Sequence, residues 1–582
     1  PIEAVMYALP DVSQVRSISK TGLSGVTVVF KEDTDIYFAR QLVFERLDAA
    51  KSLIPAGVGT PEMGPNTSGL GQVYQYLLIA DDNAEFDAMA LRSLNDWIVK
   101  LLIMPVDGVT DVLSFGGDVK QYQVNIQPNK LLAYQLTQDD IVSAIEANNT
   151  NVGGWYMDRG QEQLVIRGTG WYANGTEGIR QIGTVPIKTI GGAVITVDDV
   201  ADVSLGSEIR QGAVTMTRRL DSGEPEVLGE VISGIVLKRM GANTKETIDG
   251  ITQKVALINQ ALPDGVSFEP FYDQGDLITK AVNTVVDALM IAFVLIIVVL
   301  ALFLMNLRAT FLVLISIPIS IGLALMIMVW LGISANLMSL GGIAIAIGML
   351  VDGSVVMVEN IFKKLTEQSQ HALSHDDRKL IRDPKLNIGQ LVLDAGSQVA
   401  RPIFFAALII LVVFMPLFSF EGVEAKLFQP MATSIMLAVI AAIFVALVIV
   451  PALASLLFRN GVQPRESTIF NLLEAGYKHV LAVAMRFPKV ILISAFGLFV
   501  SALAILPKIG TEFVPELEEG TINLRVTLAP SSSLGTATDL APKIEQVLLT
   551  FPEVEYALSR IGRPEIGGDP EPVNNIEIYI GL

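Results

Sequence analysis

Residues 337–360 read LMSLGGIAIAIGMLVDGSVVMVEN, an apolar run about as long as a bilayer-spanning helix with one acid, Asp352, in its interior. At about 100° per residue Glu359, seven positions on, returns to nearly the same face roughly two turns along. An ionised carboxylate at mid-membrane costs roughly 2.5–3.5 kcal/mol even on lenient insertion scales, and its usual role is in a proton or ion pathway with a partner on another helix. Glu359 has an alternative, because it lies beside the polar run that begins at Asn360 and can reach the headgroups. Gly341, Gly342, Ala344, Ala346, Gly348, Gly353 and Ser354 are small enough for close helix–helix packing, so the span is read as buried among neighbours and functional.

The excess of apolar residues around this stretch is concentrated between about 284 and 506, while the chain as a whole is 51% hydrophobic with mean hydropathy +0.51. That is the pattern of a membrane protein with large soluble parts. A formal charge of −19 argues against nucleic acid as a partner. Cysteine is absent, which excludes disulfides and thiolate metal sites within these 582 residues. The first residue is Pro1, with no basic or apolar leader pattern after it.

An internal repeat bears on that start. Residues 2–17, IEAVMYALPDVSQVRS, align with residues 544–559, IEQVLLTFPEVEYALS, and Ile2/Ile544, Glu3/Glu545, Val5/Val547, Pro10/Pro552, Val12/Val554 and Ser17/Ser559 share one offset of 542. The second copy is preceded by an apolar span (489–506) and a strand-like segment (521–528). The expectation is therefore a molecule of two similar halves, cut within each first module, whose intact form is on the order of a thousand residues or longer.

Along the chain, residues 1–280 alternate strand-like and helix-like pieces. Strand 25–30 precedes an amphipathic helix over 35–53, and strand 73–80 precedes a helix over 85–102. Segments 109–115 and 121–126 are expected to pair with each other, followed by a helix over 137–148. Units of this size suggest split βαβ modules, interrupted from 151 to about 230 by a β-rich insertion and resumed by a strand at 231–238 and a helix at 244–262. Six apolar spans follow, at about 284–305, 310–332, 337–359, 402–420, 428–458 and 489–506, with Pro318 in the second and Pro451 in the fifth.

Charge orients them. Segment 361–401 holds Lys363, Lys364, Arg378, Lys379, Arg382, Lys385 and Arg401, segment 459–489 holds Arg459, Arg465, Lys478, Arg486 and Lys489, and the first turn holds Arg308. The alternate connections are bare except for Lys426. The basic connections mark the cytoplasmic side, so 1–280 and 507–582 are expected on the opposite, periplasmic side. The amphipathic stretch 468–485 is expected along the cytoplasmic membrane surface. The fold class expected is an α+β membrane protein, an α-helical transmembrane bundle with extracytoplasmic modules. Its parts are a truncated first porter module (1–72), a second (73–150 and 231–280) carrying a docking subdomain (151–230), a bundle (284–506) with cytoplasmic loops 361–401 and 459–488, and the start of a second-half module (507–582).

These residues resemble the RND (resistance–nodulation–division) efflux permeases, specifically the heavy-metal branch of Cus and Czc type. The resemblance is carried by GGIAIAIGMLVDGSVVMVEN, by NLRATFLVLISIPIS before it and by GTEFVPELEEGT (510–521) after the sixth span. It implies ferredoxin-like split βαβ porter modules, an inserted docking subdomain, twelve helices in two halves, a homotrimer with periplasmic adaptor and outer-membrane channel subunits, and export driven by proton influx. Asp352 matches the family's proton-relay aspartate, whose lysine partner belongs to second-half helices. Drug-exporting relatives carry two adjacent acids where this chain has Asp352–Gly353, and Czc-type members carry another Asp at the position of Ala346. GGIAIAIG is closer to the copper/silver Cus type, whereas Arg525 stands where that type implies a cleft methionine. The metal stays open between the two branches.

Ligand chemistry can be argued independently. His371, His375 and His479 fall in the expected cytoplasmic segments, so an intramembrane or extracytoplasmic site must use methionine, carboxylate or carbonyl ligands. Thioethers favour soft ions such as Cu(I). With Asp352 at zero, Met338 falls at about +40°, Met349 at about +60°, Glu359 at about −20° and Met357 at about 140°. Met338 and Met349 are candidates to line a path beside Asp352, and Met357 requires another neighbour; ordinary gap-filling is the alternative for all three. The function expected is proton-driven efflux of heavy-metal cations, with no cofactor and no enzymatic activity. Alternatives are export of organic amphiphiles, or a non-transporting receptor or translocation factor on the same fold. No GxxxxGK[ST] phosphate loop is present, which argues against ATP as the energy source.

Overall fold

The computed structural model describes all residues except 21, 56, 82–85, 221, 305, 375–387, 460–467, 509, 511–519 and 565–570. Most of GTEFVPELEEGT, together with His375, Arg378, Lys379, Arg382, Lys385 and Arg465, lies outside the described residues. The chain divides into two compact units, Pro1–Gly275 with Glu518–Leu582, and Asp276–Leu517.

In chain order the first unit opens with α1 (Ile2–Met6), β1 (Val12–Lys20), β2 (Leu23–Phe30) and α2 (Ile36–Lys51), then β3 (Gln72–Ala80), α3 (Ala88–Leu94), α4 (Lys100–Ile103) and β4 (Val109–Phe115). Next come β5 (Lys120–Ile126), α5 (Pro128–Tyr134), α6 (Gln138–Asn148), β6 (Val152–Arg159), β7 (Glu162–Gly168), α7 (Thr176–Gly183), β8 (Pro186–Ile190), β9 (Ala193–Thr196), α8 (Val197–Val200) and β10 (Ala201–Ser207). β11 (Gly212–Arg219), β12 (Pro225–Glu230), β13 (Ile232–Lys238), α9 (Thr244–Ala261) and β14 (Val266–Asp273) complete this part.

β3, β4, β13 and β14 form a four-stranded sheet in the order β14-β3-β13-β4. With α3/α4 and α9 as crossovers, this is a split βαβ module. Its helix-side core holds Tyr76, Leu78, Val99, Ile103, Ile248 and Ile251. The helix expected over 85–102 is interrupted by a π-turn at Asn95–Val99. There Asn95 is fully buried, accepts from Tyr76 Oη at 2.7 Å and donates to Ser114 Oγ at 2.7 Å, so the widened turn serves a buried polar network.

Segments 109–115 and 121–126 do not pair with each other. β4 pairs with β13, and β5 pairs with β10. Gly116 and Gly117 between them have φ of +84° and +72°, and a Cβ on Gly117 would lie 2.8 Å from the Ala88 carbonyl. That left-handed turn sends the chain out of the sheet instead of back along it. The inserted subdomain consequently has its own core, in which Val124 and Ile126 of β5 pack with Leu136, Ile141, Ile195 and Val200. α6 starts on a capping box, Thr137 with Asp140.

β11 and β12 belong elsewhere. With β15 (Thr521–Thr527), β16 (Tyr556–Gly562) and β17 (Asn575–Gly581) they make a five-stranded sheet, β12-β11-β16-β17-β15, backed by α18 (Leu534–Leu548). Seven register pairs, from Gly212↔Gly562 to Arg218↔Tyr556, join the two distant stretches of chain. One face of this sheet packs on the β3 sheet through Val214, Met216, Leu558, Leu77 and Ile235. Its other face receives Ala537 and Ala541 of α18 on Ile561, Ile576 and Ile578.

The second unit contributes α10 (Gln274–Leu304), α11 (Leu307–Trp330), α12 (Leu337–Ser374), α13 (Ile388–Phe414), α14 (Gly422–Phe444), α15 (Val450–Leu457), α16 (Thr468–Arg486) and α17 (Pro488–Ile505). Among the described residues six helical stretches, the fifth running through α14 and α15, are long and apolar enough to cross a membrane, at the places expected. Asn306 caps α11 by accepting from the Arg308 and Ala309 amides, which explains the sharp turn after the first span. Pro451 removes one helical donor, and a π-turn at Val445–Ile449 precedes it.

α18 also buries a carboxyl. Glu545 is fully buried and accepts from Thr215 Oγ1 at 2.6 Å and Thr217 Oγ1 at 2.7 Å. Burial pushes its pKa above the usual carboxylate range, while the two hydroxyls oppose that shift. A raised folded-state pKa stabilises most below the ordinary value of 4.5 and loses that contribution as pH rises through the folded value. We expect Glu545→Gln to lack this slope, so thermal unfolding followed from pH 4 to pH 8 should show wild type losing stability relative to the variant as pH rises. Parallel curves would refute it.

Candidate functional site

α12 begins on a reciprocal cap, with Ser339 Oγ accepting from the Asn336 amide at 2.9 Å and Asn336 Oδ1 accepting from the Ser339 amide at 2.8 Å. Lipid supplies no hydrophobic drive between apolar helices, so packing depends on close approach. Gly342 provides it. A Cβ there would sit 2.2 Å from Ser434 Oγ and 2.7 Å from the Met431 carbonyl of α14. Farther along, Asn360 Nδ2 donates to the Ala395 carbonyl of α13 at 2.7 Å.

This packing divides α12 into two faces. Ile343, Ala346, Ile347, Ser354, Val358 and Ile361 are buried in the bundle core. On the other side Met338, Ile345, Gly348, Asp352, Val356, Glu359 and Lys363 are exposed among the described residues. Not all the small residues therefore serve packing inside this chain, since a Cβ on Gly341 or Gly348 would meet nothing within 4 Å.

Asp352 stands at the edge of a cavity of about 250 Å³ between α12, α13 and α14. Met349, Gly353 and Val356 line it with Pro402 and Ile403 of α13 and Ala446 of the π-turn. Asp352 is the one ionisable group in that lining. At Gly353 a Cβ would come within 3.2 Å of Ile403 Cγ2, so a larger side chain would press on α13.

The candidate residues separate. Met349 shares the cavity with Asp352. Glu359 and Met338 lie on the same exposed stripe outside it, Met338 at 37% exposure. Met357 is 1% exposed in the core, its sulfur 3.5 Å from where a Cβ on Gly396 would stand, so it fills space between α12 and α13. Among the described residues no group of three or more His, Cys, Asp or Glu is placed to hold a metal ion. Arg525 is ion-paired with Glu577 at 2.5 Å on neighbouring strands.

Two groups escaped the sequence reading. Arg560, 6% exposed, donates to Gln75 Oε1 and to Tyr579 Oη and lies 4.7 Å from the Tyr579 ring centroid. Strand alternation carries no sign of it, because both faces of β16 are covered. Glu545 did leave a sign: it follows Ala537 and Ala541 at four-residue spacing on the apolar face of α18.

Apolar spans around an acid-bearing cavity, ferredoxin-like modules and a repeated unit define a polytopic membrane protein of two-repeat build. The profile of the AcrB/AcrD/AcrF family matches residues 1–582, and the chain belongs to that family, the RND permeases. It is 37% identical over 589 residues to the cation efflux system protein CzcA of Alcaligenes sp. (strain CT14), covering 100% of this chain and 53% of that protein. It is 33% identical over 584 residues to the cation efflux system protein CusA of Escherichia coli (strain K12), covering 100% and 54%. A crystal structure of a heavy metal efflux pump superposes with a TM-score of 0.80 at 32% identity, covering 100% of this chain and 52% of that one. The chain thus spans about half the length of the relatives it matches.

Replacing Gly342 with Val should force α12 from α14 and destabilise the bundle by about 1–3 kcal/mol, whereas Gly348→Ala should be nearly neutral. Thermal denaturation of both variants in detergent checks the contrast; equal melting temperatures would refute it.

Proposed function

We propose that this chain is the first half of a proton-driven exporter of heavy-metal cations, the inner-membrane permease of a trimeric, three-component envelope complex with periplasmic adaptor and outer-membrane channel subunits. The observation that carries this is Asp352, the only ionisable group among the described residues that line a cavity within an apolar bundle. Relatives named for cation efflux and for cobalt, zinc and cadmium resistance support heavy metals as the cargo class. Protonation of Asp352 would remove its charge, making burial of that stripe less costly and shifting the bundle between two packings. Met349 is placed to feel that change, since it lines the same cavity. Met338 and Glu359 would extend the path along the stripe, while Met357 would support it from the core.

The membrane orientation fits this reading. β11 and β16 share one sheet, and six spans separate them, so an even number of crossings would return the chain to the side from which it started.

Cells lacking their own exporters and expressing the full-length gene should survive raised Cu, Ag, Zn, Co, Ni or Cd. Asp352→Asn, at equal membrane abundance, should lose that protection. Undiminished resistance in the variant would overturn the proton-relay role, and absence of any metal protection by wild type would overturn the cargo.

A further inference from the structure

The π-turn at Val445–Ile449 and the proline after it change the hydrogen bonding of one backbone carbonyl beside Asp352. In an unbroken α-helix the carbonyl of Ala446 accepts from the amide of residue 450. Here the Val450 amide donates to the Val445 carbonyl instead. The next amide that could turn back to Ala446 belongs to position 451, and Pro451 has no N–H. The Ala446 carbonyl is thus left without a helical donor, in a residue only 1% exposed. Buried carbonyls are nearly always partnered, and a carbonyl freed by a proline inside a membrane finds its partner outside its own helical ladder.

The position of that carbonyl points to its partner. Ala446 lines the cavity at whose edge Asp352 stands. A Cβ on Gly353, the residue after Asp352, would lie 3.5 Å from the Ala446 Cβ, so the two backbones approach closely there. Pro402 frees a carbonyl of α13 in the same way, that of Gln398, but Gln398 is exposed and outside the cavity lining. Met349 is in the lining, and its thioether is a weak acceptor. An ionised carboxylate needs donors or a cation. A protonated one carries an O–H that needs an acceptor once it faces an apolar wall.

We propose, on the reading of Asp352 as a proton carrier, that the Ala446 carbonyl is the acceptor of the protonated state: when Asp352 takes up a proton, its carboxyl O–H donates to Ala446. The ionised state lacks that bond. The proton therefore draws α12 toward the turn between α14 and α15, and the differential contact biases the bundle to one of its two packings. A widened turn relieves the clash of a proline ring with the carbonyl four residues back wherever a proline stands in a helix. Its place against Gly353 is what makes the freed carbonyl a partner for Asp352.

The test is infrared difference spectroscopy, acidic minus neutral, on the purified full-length protein in lipid, which reads the carboxyl whatever the cargo. The C=O stretch of protonated Asp352 is the band that Asp352→Asn removes, and in wild type it should lie at the frequency of an acid that donates a hydrogen bond. Replacing Leu447 with its α-hydroxy acid turns the Ala446 carbonyl from an amide into an ester, a poorer acceptor, by exchanging one N–H for an oxygen. The band should then move to higher frequency. The same exchange at Val448 alters the Leu447 carbonyl instead and should leave the band in place. A wild-type band already at the frequency of a free acid overturns the proposal, as does a band that neither exchange moves or that both move equally. If Asp352→Asn removes no band, the proton-carrier reading itself falls and takes the acceptor with it.

Discussion

The ladder between Gly212–Arg219 and Tyr556–Gly562 is the constraint on which the rest of the structure depends. It joins segments separated by the entire helical bundle, so both must reach the same side of the membrane. Among the topologies open to a chain with six apolar spans, that requirement selects even crossings, in agreement with the Lys and Arg pattern of the connections. A contact this distant in sequence has to offset the entropy of closing a long loop. Its stability comes from what the ladder brings with it: an apolar interface with the β3 sheet on one face, α18 on the other, and Glu545 held by two threonine hydroxyls.

Inside the bundle the governing quantity is proximity. Small residues on α12 let α14 approach at Gly342, and farther along the same two helices, with α13, line the cavity where Asp352 stands. Asp352 is thereby left at the rim of an apolar cavity, where its charge state bears on the packing of α12 against α13 and α14. Had the small residues lain around Asp352 alone, the same helix would have buried an unpaired carboxylate at a cost that a protein can avoid only by neutralising it.

Much of this was legible from residues. The spans, the place of Asp352 within one of them and the two-copy repeat follow from hydrophobic length, a single charge in an apolar run and a fixed offset, which are local or additive signals. Glu545 was legible in principle from its place on the apolar stripe of α18. Arg560 was not, because a strand covered on both faces has no alternation to break. The pairing of β5 was misjudged because proximity in sequence suggested a hairpin, and the left-handed Gly116–Gly117 turn redirected the chain.

By itself the sequence determined that this protein crosses a membrane, which connections are basic, and where one acid interrupts an apolar helix, since the free energies of moving apolar and charged groups out of water depend mainly on residue type. Only the tertiary structure decided that β11 joins a sheet with strands from the far end of the chain, and that Met357 is core while Met349 lines the Asp352 cavity. Those outcomes depend on which backbone edges and side-chain surfaces meet, and such contacts are set by the whole arrangement of elements rather than by any one stretch.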